Sequence, residues 1–413
     1  MARPLAPLRP ELDGFPSDDP ARPALILRDT SGISEAMLSI PAPLVSILRF
    51  FDGEHTEEEL TAAIRAAGEQ LDAEELTRRL VQTLSEAGML ADEKFEAMRD
   101  GVLRSFRIAK SLEAKHHGPG NYPSDGLKLR QLFGSWFGDA PVPSGRVPLH
   151  AVAAPHASPG AAKVSYAKAY GALANSLSPQ EASEKTFMIL GTSHYGAPDR
   201  FGLTRKRFVT PLGETRTNQS LIERLQHKAG VELEDFSFST EHSVEFQVVF
   251  LQYLYGPDIQ IVPILCGSFG RSLMHGGPPE SHAENQAFLS ELGELSSREG
   301  DRLVWVLGVD MAHKGPRYGR GETPRRAYSD AMADVTAKDN SRIAALARGD
   351  RSEFWAQVQE GRDELNWCGS APFYTYLAAH PNTRGELLSY EHWQIDPKSV
   401  VTFAGMSFTR SGG

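Results

Sequence analysis

Four short apolar runs in the second half of the chain end on polar residues that can hold a metal or move a proton. Residues 149–154 run into Pro155-His156, and residues 187–190 into Gly191-Thr192-Ser193-His194. Residues 303–309 run into Asp310-Met311-Ala312-His313, and residues 259–265 into Cys266-Gly267. Short apolar runs bounded by turn residues predict strands buried on both faces of a sheet. Between them apolar residues recur at helical spacing over 165–177, 218–230 and 241–255, the last with Val244, Val248 and Leu251 on one face. An alanine-rich stretch predicts a long helix over 323–347, and residues 400–408 predict a final strand. Strands alternating with helices define an α/β domain, placed at 146–410 and near the upper size for a single core. The glycine-rich stretch 267–282 reads as a mobile loop.

The first segment carries a different pattern. Residues 24–27 predict a strand and residues 43–51 a helix stopped by Asp52-Gly53. Thr56-Glu57-Glu58-Glu59 and Asp72-Ala73-Glu74-Glu75 are capping boxes opening two helices, the second with an apolar stripe of Leu76, Leu80 and Leu84. Gly88 ends that helix, and Met89-Leu90 predicts a wing strand. The order describes a small winged-helix domain at 20–98. Residues 99–145 then read as a linker and connecting segment, with breaker clusters at 116–123 and 141–145; His116 and His117 in the first are expected to be solvated.

Charge narrows the partners. The net charge of −10 argues against a general binder of nucleic acid or membrane surfaces. Residues 54–100 hold thirteen acidic and five basic side chains, about −8, which repels phosphate. A peptide added as a strand beside the wing fits that surface better. A packing module or dimer interface is the alternative. No apolar run reaches the ~18–20 residues a membrane span needs. The start, Met1-Ala2-Arg3-Pro4, has no apolar leader core, and the two cysteines, Cys266 and Cys368, form no CxxC pair. A reducing cytoplasm is the expected compartment.

In an α/β protein the carboxyl ends of the strands face one crevice, where ligands bind. That places His156, His194, Asp310 and His313 together, although they are far apart in sequence. Cys368, between Trp367 and Gly369 in a polar turn, is a further candidate ligand, and Cys266 is expected in the core. Imidazole and thiolate suit iron(II), copper or zinc, whereas magnesium and calcium prefer oxygen. Asp310 can ligate or orient a ligand. His313 can act as a general acid or base, and His242, in Glu241-His242-Ser243 at a helix start, can donate to a bound oxygen or substrate. His227, His275, His282, His380 and His392 have no motif around them and are expected at the surface.

Seven segments, in this order and spacing, resemble the Memo family, including its bacterial members called AmmeMemoRadiSam system protein B. They are Ala154-Pro155-His156-Ala157, Leu190-Gly191-Thr192-Ser193-His194, Thr210-Pro211-Leu212-Gly213, Glu241-His242-Ser243-Val244-Glu245 running into Phe250-Leu251, Val262-Pro263-Ile264-Leu265, Asp310-Met311-Ala312-His313 and Cys368-Gly369. The resemblance implies the fold of the class III extradiol dioxygenases and one iron(II) or copper ion per chain, bound by His156, His194 and Cys368. It maps His242, Asp310 and His313 onto the same pocket, as the candidate catalytic residues. Two departures stand out. A Gly-Tyr-x-Tyr-[Ser/Cys]-Gly turn after the first histidine is here Ser158-Pro159-Gly160-Ala161-Ala162-Lys163, and Gly-Arg-His-Pro after the cysteine is Gly369-Ser370-Ala371-Pro372. The first segment resembles the PqqD-like peptide-recognition domains, which implies a peptide or partner protein, with a radical SAM-type protein among the candidates. Two function classes stay open. One is a metal-dependent oxidoreductase, dioxygenase-like, acting on a peptide or small molecule with partner proteins. The other is a non-catalytic metal- or peptide-binding protein that reuses the pocket.

Overall fold

The computed structural model describes residues 4–17, 19, 21–67, 72–137, 148–231, 233, 236–319 and 322–410. The chain forms two compact units, Met1–Ala109 and Lys110–Gly413. The breaker cluster at 141–145 and the start Met1-Ala2-Arg3 lie outside the described residues.

In the first unit, strands Leu12–Pro16, Ala24–Asp29 and Met37–Pro41 form an antiparallel sheet. Helices Glu57–Ala67, Ala73–Glu86 and Glu93–Ile108 follow. The first capping box forms as the sequence predicts: Glu59 N donates to Thr56 Oγ1 at 3.3 Å, and Thr56 N to the Glu59 carboxylate at 2.8 Å. Asp72 caps the next helix through Glu75 N. Residues 43–51 divide into a short α-turn, Ala42–Val45, and a 3₁₀ turn, Ser46–Phe50.

The expected wing strand does not form. Gly88 turns the chain at φ +68°, and Asp92 already caps the next helix through Phe95 N at 2.9 Å. Only three residues lie between, and Met89 and Leu90 spend their side chains in the unit's core beside Leu60, Ile64, Leu80 and Leu84. Leu90 makes a single bridge to Leu8. The sheet of this unit therefore precedes its three long helices.

The segment expected as linker is largely structured. Residues 93–108 are helix, and Ser111–Glu113 pairs with Arg207–Thr210 of the second unit. Gly126–Phe137 is a helix whose Phe133 stacks on Phe250 at 4.2 Å.

The second unit is a mixed α/β fold with a nine-stranded sheet among the described residues. Its parallel centre runs in the order Gln260–Cys266, Thr186–Thr192, Leu303–Gly308, Ala151–Ala154. Ser399–Arg410 closes one side antiparallel, and Thr383–Asp396 pairs with it. All residues of Ala151–Ala154, Thr186–Thr192 and Leu303–Gly308 are buried, because helices cover both faces. Three boundaries move from expectation. The alanine-rich helix is Ala333–Arg348, since residues 323–329 are irregular or turn and Asp330–Met332 is a 3₁₀ turn. The helix after Glu241 begins at Glu245. The stretch 267–282 contains a helix, Gly270–His275, and a 3₁₀ turn, Pro279–Ser281. No helix among the described residues is long and apolar enough to cross a membrane.

His380, expected at the surface, is buried, and its ring nitrogen lies 2.8 Å from His150 Nε2. This pair sits where the parallel strands begin, opposite the ends that carry His156 and Asp310. His150 also lines a cavity of about 580 Å³ there, with Leu173, Lys185, Asp301 and Arg410. Burial holds His150 down to about 4 and also depresses His380, with the positive Arg410 adding to both. The unfolded chain protonates each ring below about 6.5 while the folded chain does not, so the unfolded state gains protons and stability falls as the pH falls. Each ring costs up to about 1.4 kcal/mol per pH unit from about 6.5 downward, for His150 to about 4. Denaturant unfolding from pH 7 to 5 is expected to show this slope, reduced in His380→Leu. Equal slopes in the two proteins would refute the assignment.

Candidate metal centre

Each site residue is placed by a local reason. Ala151–Ala154 ends the strand, and Pro155, which lacks an N–H, turns the chain so that His156 lies under the sheet's end, 2 % exposed. His156 Nδ1 donates to the Gly308 carbonyl at 2.9 Å, which directs its other nitrogen, Nε2, toward Cys368 Sγ at 3.3 Å. His194 follows the Thr186–Thr192 strand. Its Nδ1 meets the Glu241 carboxylate at 3.0 Å, which again leaves Nε2 to the site. Both histidines thus carry the outer hydrogen bond that metal-ligating imidazoles use to fix tautomer and ring direction.

Cys368 does not sit at a strand end. It lies in the turn before helix Ser370–Ala379, and three ties hold that turn: Thr192 Oγ1 donates to the Cys368 carbonyl at 2.9 Å, Gly369 N to the Asp310 carbonyl at 3.1 Å, and Ser370 N to Trp367 O at 3.0 Å. Gly369 is required by closeness, since a Cβ there would lie 2.6 Å from the Asp310 carbonyl oxygen. As expected, Cys266 is core: it is 1 % exposed, and burial pushes its thiol up to about 12.

The result is a tight cluster. One donor atom from each of His156, His194 and Cys368 lies within 4.8 Å of the others. Two further triads overlap it under the same limit, His194–Glu241–His242 and Asp310–His313–Cys368. The His156, His194 and His242 rings are mutually 4.8–5.3 Å apart, with His194 and His242 stacked. All six residues read from the sequence as site candidates therefore meet.

The electrostatics divide them. Burial holds His156 down to about 3 and His242 well below its usual range, with His194 adding to both, so both rings are neutral. At His194 burial opposes charge, but Glu241 outweighs it and raises the ring. Burial would raise Glu241, but His194 and three backbone N–H donors, of His194, His242 and Ser243, keep it below the ordinary carboxylate range. Asp310 is pushed up to about 6 by burial, against the pull of His313 and the N–H groups of His156 and Ala157. Burial, with Asp310 adding, drives the Cys368 thiol far up. A cation among these donors reverses that last cost, because a coordinated thiol gives up its proton. His156 and His194, each with Nδ1 engaged outside the cluster, and the part-buried Cys368 thiol fit a soft or borderline transition metal, which takes the neutral form of each ring.

The surroundings contain groups the sequence did not mark. Glu245, in the first turn of its helix, accepts from Lys115 N at 2.9 Å, His116 N at 3.0 Å and the Tyr122 hydroxyl, and pairs with the His116 ring at 2.8 Å. His116, expected to be solvated, is thereby held 5.5 Å from the His242 ring, whereas His117 is exposed. The signal available was the Glu241/Glu245 pair flanking His242. Its partners, more than 120 residues away, were not legible.

An α/β protein with this cluster at its strand ends has relatives. The family model described as Memo-like protein matches residues 113–407. The chain belongs to the Memo-like family. It is 34 % identical over 304 residues to a MEMO1 family protein of Methanopyrus kandleri, covering 70 % of this chain and 96 % of that one. It is 24 % identical over 394 residues to a MEMO1 family protein of Aquifex aeolicus, covering 93 % and 95 %. A third relative, from Pyrococcus furiosus, is 27 % identical over 227 residues, 54 % of this chain and 71 % of its own. The match starts within the segment expected as linker, in accord with the pairing of Ser111–Glu113 into the second unit.

Proposed function

We propose that this protein is a metal-dependent oxidoreductase in which His156, His194 and Cys368 hold one iron(II) or copper ion per chain. The observation that carries the reading is the convergence of those three donors within 4.8 Å, with both Nδ1 atoms turned outward to Gly308 and Glu241. An iron(II) or copper ion held there supplies one-electron redox chemistry. The chain's own residues do the rest. His194 and His242 are each about a quarter exposed and form the mouth, where a peptide or small molecule would meet them. His313 Nδ1 is bonded to the Met311 carbonyl at 3.0 Å, so Nε2 is the atom that takes and returns a proton. Asp310 accepts from the backbone N–H groups of His156 and Ala157, and its charge favours the protonated form of His313. Elemental analysis of protein purified without added metal, with spectra taken anaerobically and in air, tests this. About one iron or copper per chain and an air-dependent spectrum are expected; metal-free protein that takes up neither ion would end the proposal.

A second reading, a non-catalytic metal- or peptide-binding protein, is favoured by one detail. In the turn after His156, where the family resemblance leads one to expect tyrosines, Ser158 Oγ is engaged by the Gly120 carbonyl at 2.6 Å and Asn121 Oδ1 at 2.7 Å. That turn adds no reactive group to the site.

For the first unit we propose recognition of an extended peptide or partner protein, a radical SAM-type protein among the candidates. Among the described residues the Met37–Pro41 strand is bonded on one side, to Ala24–Asp29, which leaves an edge for strand addition. The acidic helices beyond it disfavour DNA. Duplex DNA titrated into the full chain at ~50 mM salt, where non-specific affinity is strongest, is expected to show no saturable binding. Micromolar binding there would exclude this assignment.

A further inference from the structure

Asp339 lies in the middle of helix Ala333–Arg348 and is fully buried. Among the described residues it makes no ion pair, although the Arg342 charge favours its ionised form, and both its oxygens are engaged. Oδ1 accepts from Trp367 Nε1 at 2.6 Å, and Oδ2 accepts from the Tyr390 and Thr402 hydroxyls, each at 2.6 Å. Burying a carboxylate is costly unless several donors meet it. An apolar residue would fill a helix face facing the core at no such cost.

The donors explain the position. Trp367 is the residue before Cys368, and its indole is 2 % exposed. Arg342, one turn further along the helix from Asp339, lies over that indole at 5.3 Å and pairs with Asp363 at 2.8 Å, so the ring is held from two sides. Thr402 is on the Ser399–Arg410 strand and clasps the loop after Leu303–Gly308. Its N donates to the Ala312 carbonyl at 2.9 Å, its Oγ1 accepts from Ala312 N at 2.8 Å, and its carbonyl accepts from Met311 N at 2.8 Å. Asp310 and His313 flank those two residues. One carboxylate therefore links the turn bearing Cys368 to the loop bearing Asp310 and His313.

We propose that Asp339 is a positioning residue of the metal centre, which sets the spacing of Cys368 against Asp310 and His313 through Trp367 and Thr402 without touching the site itself. This rests on the metal-centre reading for its consequence, but not for its geometry. A hydrogen-bonded bracket of this kind orients ligands from outside, and removing an outer partner of a metal site usually costs ~10–100-fold in affinity. Trp367→Phe removes the indole N–H together with its five-membered ring and cuts the arm to Cys368. Thr402→Val cuts the arm to the Asp310–His313 loop. Asp339→Ala cuts both.

The test uses the full chain with two readouts. In metal-free protein, iodoacetamide alkylation of Cys368 is followed by peptide mass mapping, with buried Cys266 as the internal reference. In protein titrated with Co(II), affinity and the thiolate-to-cobalt band are read. Asp339→Ala and Trp367→Phe are expected to raise the Cys368 alkylation rate several-fold. Asp339→Ala is expected to weaken Co(II) ~10–100-fold with an altered band, whereas Thr402→Val leaves the alkylation rate unchanged. Phe288→Leu, a core change that lowers stability, is the control and should move neither readout. Unchanged alkylation and Co(II) binding in folded Asp339→Ala, or equal changes in Phe288→Leu, would overturn the proposal. If wild-type protein shows no thiolate-to-cobalt band, the metal reading fails, and the alkylation rates still decide the role of Asp339.

Discussion

Cys368→Ser is expected to yield a folded protein that has lost its transition metal and any thiolate charge-transfer band. The residue is half-buried, and desolvation with the nearby Asp310 carboxyl strongly favours the protonated thiol. Only a cation in the cluster makes a thiolate there favourable, so the sulfur's contribution appears when metal binds and vanishes with the serine hydroxyl, a much poorer ligand for iron or copper. The expected loss of affinity exceeds the ~10–100-fold typical of removing a mere outer partner. Serine is nearly isosteric, and the backbone ties of the turn, from Thr192, Gly369 and Ser370, do not involve the sulfur. Elemental analysis and absorption spectra measure the outcome, with His156→Ala and His194→Ala expected to empty the site as well. Full metal content in all three variants would show that the ligands are elsewhere.

His313→Gln is expected to keep the metal and lose ~10²–10⁴ in turnover, the range that general acid–base help supplies. His313 stands in two possible relations to the site. Its donor atom falls within 4.8 Å of Asp310 and Cys368, close enough to be a ligand. Its Nδ1 is tied to the Met311 carbonyl, and Tyr318 packs edge-on against its ring at 4.9 Å. Burial lowers its pKa, although Asp310 pulls the other way, so the ring is neutral at neutral pH and free to accept a proton. Glutamine retains a polar group of similar reach but cannot shuttle a proton. Metal content at the wild-type level with turnover reduced separates the proton-transfer role from ligation; loss of metal would make His313 a ligand. Wild-type oxygen uptake and product formation in the variant would refute the role altogether.

The histidines of the site were legible because their placement is a local matter. A buried parallel strand is short and apolar, and the first polar residue after it must emerge at the carboxyl end. That argument located His156, His194 and Asp310 just past the strand ends, whereas His313, three residues after Asp310, opens a two-residue strand, His313–Lys314, antiparallel to Ser399–Arg410. It placed Cys266 correctly in the core, since that residue is the last of its strand, Gln260–Cys266, and is enclosed there. It failed for His380, which follows a helix, Ser370–Ala379, that is buried along nearly its whole length. No periodicity in the sequence could say that the end of that helix meets His150, 230 residues earlier. The first unit misled for a related reason. Two apolar residues after a glycine suit a strand or a core plug equally, and the next helix cap, at Asp92, leaves no length for a strand.

By itself the sequence determined which residues end strands, where the helices are capped, that the second unit is an α/β fold, and which side chains could share a metal. These follow from apolar period, cap chemistry and turn residues within a few positions of each other. Only the tertiary structure decided how those side chains are aimed. The partners that aim them are Gly308 for His156, Glu241 for His194, Glu245 for His116, and Asp339 for the turn of Cys368 and the loop of His313. Apart from Asp339 and Trp367, each of these is a contact across at least 47 residues of chain. A hydrogen bond depends on distance and angle to a few tenths of an ångström, and packing of the whole sheet sets those, not the identity of neighbouring residues.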